Sequence, residues 1–331
     1  MKLQTPQTSL ETARTIIAAV VLLIATTGTA LGQNYPTKPI RIAMPFSTGG
    51  TDLVTRWLAL KLAPALGQQI IPEPRTGAGG NIAFEAVARA APDGYSLLMA
   101  PPPFVINPTL YARVNYDPMR DYAPIMLCGS IPSLLVSHPS VPAKTLRELI
   151  QLARSHPNKL SYASGGIGST PHLAGELLKS LTKTQIVHVP YKGGTLGLVG
   201  AMSGEVDIVF ATMSAASASY INDGKMRGLA ILDGKRVKSV PQVPTSAEAG
   251  LPQLVAVNWY VLMAPAGTPR DIIERLNSEI TKVMQTPETR ERLLAVGGEP
   301  MSGTPEQAAE FVRSEFARWG KVIKDAGIRA E

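Results

Sequence analysis

Residues Ser161–Leu181, SYASGGIGSTPHLAGELLKSL, carry the pattern with the clearest chemistry. A strand edge over Lys159–Tyr162 runs into the small-residue loop Ser164-Gly165-Gly166-Ile167-Gly168-Ser169-Thr170. Pro171 then opens a segment in which Leu173, Leu177, Leu178 and Leu181 recur at helical spacing. Thr170 reads as an N-cap and Pro171 as a first helical residue, where a missing N–H costs nothing. A helix start leaves about four N–H groups without internal acceptors and carries roughly half a positive charge. Glycines ahead of it let a ligand approach the backbone closely. Strand, glycine loop and helix start together make an anion site that needs neither Lys nor Arg.

The same order of elements occurs at Ile40–Leu66. An apolar strand leads into Phe46-Ser47-Thr48-Gly49-Gly50, and a helix follows whose apolar face is Leu53, Trp57 and Leu60. Thr51 or Asp52 can cap it, and Asp52 reads as a cap rather than an anion contact. Two such loops far apart in the chain predict two α/β domains, each offering a helix start to one ligand. Near the second loop, His172 is either a donor to the ligand or a helix-start side chain bonded locally. Tyr191 either meets the ligand or fills its loop. Asp207 alternates with Val206 and Ile208 in a strand and reads as a partner for a basic residue rather than a cleft group.

Other chemistries find no support. There is no G-x-S-x-G elbow and no H-E-x-x-H, and His138, His156, His172 and His188 lack ligand spacing. Gly77-Ala78-Gly79-Gly80 begins like a dinucleotide fingerprint, but Ile82 stands where the third Gly belongs. Neither cofactor nor metal is expected. The single cysteine, Cys128, sits in the apolar run Ile125–Cys128 and reads as a core residue.

The elements that must position these loops follow from the rest of the chain. Its 331 residues are 45% hydrophobic and 17% charged, which suits one large or two ordinary domains. The net charge is +7, but Lys and Arg are scattered, which argues against a nucleic-acid footprint. Lys2 and Arg14 precede an apolar run, Ile16–Ala25, and then small residues, so residues 1–32 are expected to be a secretory leader. Cleavage is expected after Gly32, or alternatively after Ala30. Beyond Pro36, strands expected at Ile40–Pro45, Gln69–Pro72 and Tyr95–Ala100 alternate with helices at Leu53–Ala63 and Ile82–Arg89. That alternation predicts parallel sheets flanked by helices, with ligands at the carboxyl ends of strands. The loops at 46–51, 77–81 and 101–103 would lie there. Pro101–Pro103 and Asn107-Pro108 read as loop. A second α/β unit is expected from strands at Ile131–Ser137, Gln185–Val189, Val206–Phe210 and Met226–Leu232, and Val255–Ala264 as a return strand. Thr268-Pro269, Thr286-Pro287 and Thr304-Pro305 each mark the start of a terminal helix.

Many short pieces in fixed order carry a resemblance over the whole chain from Tyr35. They include Tyr35-Pro36-Thr37-Lys38-Pro39-Ile40, the Pro45–Asp52 loop, Gly77-Ala78-Gly79-Gly80-Asn81-Ile82 and Pro92-Asp93-Gly94-Tyr95. Further on come His172-Leu173-Ala174-Gly175-Glu176, His188-Val189-Pro190-Tyr191-Lys192-Gly193 and Ala264-Pro265-Ala266-Gly267-Thr268-Pro269. The chain resembles the Bug, or TctC-like, solute-binding receptors of tripartite tricarboxylate transporters. The resemblance implies an α/β, two-lobed periplasmic-binding-protein fold (type II-like), each lobe a mixed, mostly parallel sheet flanked by helices. Lobe 1 would be residues 33–131 and 257–331, lobe 2 residues 132–256, joined by two crossovers. It implies a monomeric periplasmic receptor, not an enzyme, that holds a small carboxylate and delivers it to the membrane subunits of a tripartite transporter. Carried over by position, the contacts would be Phe46, Ser47, Thr48, Gly49 and Gly79 in the first lobe. Those in the second would be Ser164, Gly166, Gly168, Ser169, Thr170 and His172, with Tyr191 and Asp207 as further candidates. Ser47-Thr48 stand where the family usually has x-Pro, and the loop to Asp52 is one residue short, which alters the hydroxyls offered to a ligand. A sensory receptor for a membrane kinase and an exported enzyme acting on a small anion are the rival readings.

Overall fold

The computed structural model describes residues 35–330, so the expected leader and its cleavage site lie outside the described residues. The strands β1 (Ile40–Met44), β2 (Ile70–Pro74) and β3 (Ser96–Ala100) pair in parallel in the order β2-β1-β3. Between them run α1 (Gly50–Leu66) and α2 (Asn81–Ala88). β1 is buried on both faces except at Arg41, which is the pattern of a strand covered by helices. α1 reaches past its expected end because Pro64 sits in its last turn, where few further hydrogen bonds are lost, and Gly67 closes it in the left-handed conformation.

The Pro-rich stretch after β3 forms a helix, α3 (Pro103–Leu110), rather than a loop. Proline suits its first turn. Pro108 further on deprives the Phe104 carbonyl of its usual i+4 donor, and the Tyr116 hydroxyl donates to that carbonyl instead, at 2.9 Å. Phe104, Phe84, Tyr116 and Tyr122 pack together around this point, Phe104 meeting Tyr122 edge-on at 4.8 Å.

A 16-residue strand, β4 (Tyr122–Ser137), joins the two halves of the sheet. Up to Pro132 it pairs antiparallel with β9 (Val257–Pro265), which itself lies beside β3. From Ser133 it pairs instead with β7 (Ile208–Thr212) and β8 (Arg227–Ile231). Past β7 lie β5 (Ser161–Ser164) and β6 (Val187–Pro190), both parallel. The parallel ladders are thus the outer ones, and the antiparallel ladders gather on β4 and β9. Helices α4 (Leu146–Ser155), α5 (Thr170–Thr182), α6 (Gly194–Met202) and α7 (Ala215–Asn222) alternate with these strands. From Lys38 onward the described chain is one compact unit. Among the described residues no helix is long and apolar enough to cross a membrane.

Helices α8 (Arg270–Met284) and α9 (Pro287–Ala295) follow β9. After the short strand β10 (Glu299–Pro300), α10 (Pro305–Ala326) packs on β4 and α3. Thr286 and Thr304 cap their helices as expected, whereas the Thr268 hydroxyl donates to the Pro265 carbonyl and Pro269 takes the cap position. Cys128 is fully buried, and burial raises its thiol pKa to about 12.

One buried carboxylate ties α10 to the sheet. Glu315, 8% exposed, accepts the indole N–H groups of Trp259 at 2.8 Å and Trp319 at 3.0 Å. Glu315→Leu would leave both buried donors unpaired and is expected to destabilise the fold by about 2–4 kcal/mol. Glu315→Gln, which keeps an acceptor, should lose less. The shift in urea midpoint for the two variants checks this.

Candidate functional site

Helix starts from both halves of the sheet converge on one cavity of about 440 Å³. Gly49–Leu53 brings the start of α1 and Pro103 that of α3. Ser169–Pro171 brings α5, Gly193–Thr195 brings α6, and Ser214 with Ala216 brings α7. Each follows a strand or its loop, so the β/α alternation itself aims the N–H groups of α1, α5, α6 and α7 at the cavity. α3 brings only proline rings, since Pro101–Pro103 have no N–H and the amides of Phe104, Val105 and Ile106 bond the Pro101 and Pro102 carbonyls. α1 and α6 begin at glycine with no capping side chain, which leaves their first amides for a ligand. α5 and α7 are capped by Ser169 and Ser214, each accepting one amide; α5 is left with the Thr170 amide alone, because Pro171 has no N–H, and α7 with those of Ala215 and Ala216. The floor is Ile131 of β4 with Asn258 and Tyr260 of β9, and Phe46, Leu198, Met213 and Val296 add apolar wall.

Among the described residues the lining contains neither Lys nor Arg. Asp52 is its one charged residue, and Arg56 one turn on holds that carboxylate at 2.7 Å. The positive potential is therefore that of backbone amides, each helix start contributing about 0.3–1 kcal/mol and up to ~2 when partly buried. Thr170 supplies the most pointed polar group: it is 1% exposed, and its hydroxyl has no partner among the described residues. A buried hydroxyl left unpaired costs about 1–3 kcal/mol, which a ligand acceptor recovers. Gly50 is required by close approach, because a β-carbon there would overlap the Tyr260 hydroxyl.

Of the residues singled out in the sequence, Phe46, Thr48, Gly49, Ser169 and Thr170 line the cavity. Ser47 is exposed beside it and does not. Gly79 faces α3: its carbonyl accepts from Asn107 Nδ2 at 3.0 Å, and Tyr111 crowds its α-carbon. Ser164 is fully buried, its hydroxyl 2.7 Å from His188 Nε2. Gly166 turns its amide to that same hydroxyl and its carbonyl to the Ser169 hydroxyl. Gly168 gives its amide to His172 Nδ1 at 3.3 Å. His172 thus lies behind the loop, 5% exposed and tilted against His188 at 4.4 Å, which favours the local reading over the ligand-donor one. Tyr191 points under α6, its hydroxyl against Gly200. Asp207 has a partner, but Ser161 rather than a base: its Oδ2 accepts the Ser161 amide at 2.7 Å and hydroxyl at 2.8 Å.

The sequence reading expected a strand at Val255–Ala264 and a helix at Ala215–Ile221, but not that the floor residues or the starts of α6 and α7 belong to the site. Gly193-Gly194 after β6 repeats the strand–glycine–helix signal, and Ser214 before an Ala-rich run has N-cap chemistry, so both were readable. Asn258, Tyr260 and Val296 carry no local signal, because only tertiary pairing brings them there.

This is the architecture of the two-lobed periplasmic binding proteins. The chain belongs to the TctC family, the tripartite tricarboxylate transporter family receptors, whose model matches residues 54–328. It is 35% identical over 320 residues to Protein BugT of Bordetella pertussis, covering 95% of this chain and 98% of that one. Among solved structures it is similar to R. palustris Rpa4515 with adipate, at 34% identity and a TM-score of 0.83, covering 89% of this chain and 99% of that one. It is also similar to MatC from Rhodopseudomonas palustris with bound malate, at 32% identity and a TM-score of 0.80, covering 87% and 100%.

Burial lowers the pKa of both His172 and His188 to about 4, and for His188 the neighbouring His172 lowers it further. An unfolded histidine titrates near 6.5, so between about pH 6.5 and 4 the unfolded chain binds protons that the folded one does not. Stability contributed by these rings is present above that window and is lost as pH falls through it. His172 alone is expected to contribute a slope of up to ~1.4 kcal/mol per pH unit. Denaturant unfolding at pH 7, 6 and 5 should show stability falling with pH, and His172→Asn should flatten the fall.

Proposed function

We propose that this chain is a periplasmic receptor that captures a small carboxylate in the cavity and delivers it to the membrane subunits of a tripartite tricarboxylate-type transporter. The observation that carries the reading is the convergence of helix starts on a cavity without a basic residue, with the buried Thr170 hydroxyl awaiting an acceptor. A carboxylate fits because its oxygens accept several N–H bonds at once, and the apolar wall suits a carbon body. The adipate of Rpa4515 and the malate of MatC support this class of ligand. Membership of a transporter-receptor family supports both the partner and a binding role.

Residues 33–131 with 257–331 form one lobe in this reading, and 132–256 the other. The change of strand partners at Pro132 and Val257 supports that division. Closure is a hinge motion about these two crossings, stabilised by contacts that the ligand makes with both lobes. The contacts are Phe46, Thr48, Gly49 and the following amides of α1 on one side, and Ser169, Thr170 and the Gly193–Thr195 turn on the other. Charge-assisted hydrogen bonds of about 1.5–3 kcal/mol each bring the sum to the roughly −8 kcal/mol of micromolar affinity. The receptor acts as a monomer.

Thermal unfolding against small organic acids, with adipate and malate in the panel, tests the reading. A rise in midpoint with an acid and none with its amide is expected, because ligand binds only the folded state. Thr170→Val, which keeps shape and removes the hydroxyl, should weaken that acid about 5- to 30-fold by calorimetry. No stabilisation by any acid, or unchanged affinity in the folded variant, would overturn the assignment.

A further inference from the structure

The loop between β5 and α5 turns two of its amides away from the cavity. The Gly166 amide goes to the Ser164 hydroxyl at 3.2 Å, and the Gly168 amide goes to His172 Nδ1 at 3.3 Å. Gly165 before them and Ser169 and Thr170 after them line the cavity, the Ser169 amide itself bonding the Gly166 carbonyl at 3.2 Å. The course of the loop is set by what stands behind it. His172 lies tilted against His188, which stacks on Tyr162 at 4.7 Å and reaches Ser164 through Nε2. Gly168 itself has φ +81°, a conformation that strains any other residue, and it sits close against Leu110 and Asn107 of α3. An amide donor leaves its partner one role. His172 Nδ1 must be the acceptor, and the ring's proton is on Nε2.

We propose that His172 is a positioning residue for ligand capture: its neutral imidazole, as the Nε2–H tautomer, accepts the Gly168 amide and thereby holds Gly165, Ser169 and Thr170 toward the cavity. This rests on the carboxylate reading for the identity of the ligand, but not for the geometry of the loop. The sequence places His172 among the ligand contacts, and the inference gives it a different task. Charged and titratable groups around the ring are few. Glu176 and Lys179 stand on α5, bridged at 2.8 Å, Tyr162 on β5 donates to Glu176 at 2.6 Å, and His188 comes from β6. On the far side of Gly168, α3 offers Asn107, Leu110 and Tyr111. Burial keeps the ring neutral down to about pH 4. Protonation would set an N–H against the Gly168 N–H and release the loop.

The test combines a measurement without ligand and one with it. Long-range 15N–1H NMR of the purified protein should show His172 neutral at pH 6 as the Nε2–H tautomer, with the Gly168 amide protected from hydrogen exchange. His172→Leu removes the acceptor and should lose that protection at least tenfold. His172→Asn, whose Oδ1 stands near the position of Nδ1, should keep it within about threefold. Affinity for adipate or malate, whichever raises the unfolding midpoint, should follow the same order, at least tenfold weaker in His172→Leu. Wild-type affinity should fall more steeply than that of His172→Asn between pH 5 and 4. An Nδ1–H tautomer, a protonated ring at pH 6, or full Gly168 protection in a folded His172→Leu would overturn the proposal whether or not either acid binds. Failure of the carboxylate reading alone has a separate signature: neither acid binds, while the tautomer and the protection are as expected, which supports the positioning role itself.

Discussion

An anion held without a cation must be held by amides, and amides free to bond a ligand occur in number only where helices begin. That constraint organises the molecule. One helix start offers a few donors over a narrow angle, so surrounding a ligand takes several, brought from different parts of the chain. Parallel strand–helix units aim every helix start at the carboxyl end of its sheet. Two such sheets facing each other at those ends place the start of α1 opposite those of α5, α6 and α7. The scattered Lys and Arg of a basic chain are then spare for the surface, where they pair with neighbours such as Glu288 and Glu299.

The facing arrangement depends on β4 and β9. β4 belongs to both sheets and changes partners within one residue step, from Val257 opposite Pro132 to Thr212 opposite Ser133. Its ladder with β9 slips register twice before that point, between Pro124 and Met126 and between Leu127 and Gly129. Such bulges increase local twist and bend a strand, which suits one that must serve two sheets. β9 also supplies the cavity floor through Asn258 and Tyr260, while Trp259, pointing the other way by strand alternation, is anchored by Glu315 of α10. The strand that carries the floor is thus braced from behind by the last helix.

Elements whose information is local were legible in the sequence. Strand β1, the capped starts of α9 and α10, and the glycine loops at 49 and 165 all announce themselves through residue type and spacing; the start of α5 was legible to within one residue, its cap being Ser169 rather than the expected Thr170. The Pro-rich segment at 101–108 misleads because its helix depends on a distant hydroxyl: only with Tyr116 in place does Phe104 lose its donor to Pro108 without cost. The first half of β4 was not recognised as strand, since its bulges interrupt the period-two pattern and Pro124, Gly129 and Pro132 read as breakers. Within the site, the loops were legible and the side-chain directions were not. Asp207 was expected to find a base and instead finds Ser161, because a carboxylate can be satisfied by an amide and a hydroxyl as well as by a cation.

His172 shows why direction is the harder quantity. Two residues beyond the start of α5, a side chain can face forward to a ligand or turn back onto the loop that precedes it, and both placements suit an imidazole. The choice is made by residues remote in sequence. Tyr162 occupies the face of α5 at Gly175, where a β-carbon would overlap its ring, and His188 on β6 supplies a flat partner beside it. With those surfaces filled by aromatic rings, a third ring gains more by stacking among them than by standing in a wet cleft. The loop amide then finds its acceptor behind rather than ahead, and the cavity is left to the backbone of Gly165 and Thr170. In the proposed reading, a site lined this way recognises charge through the amides of helix starts. Discrimination among acids is then left to shape: the apolar wall of Phe46, Leu198 and Met213, and the two polar side chains, Asn258 and Tyr260, on its floor.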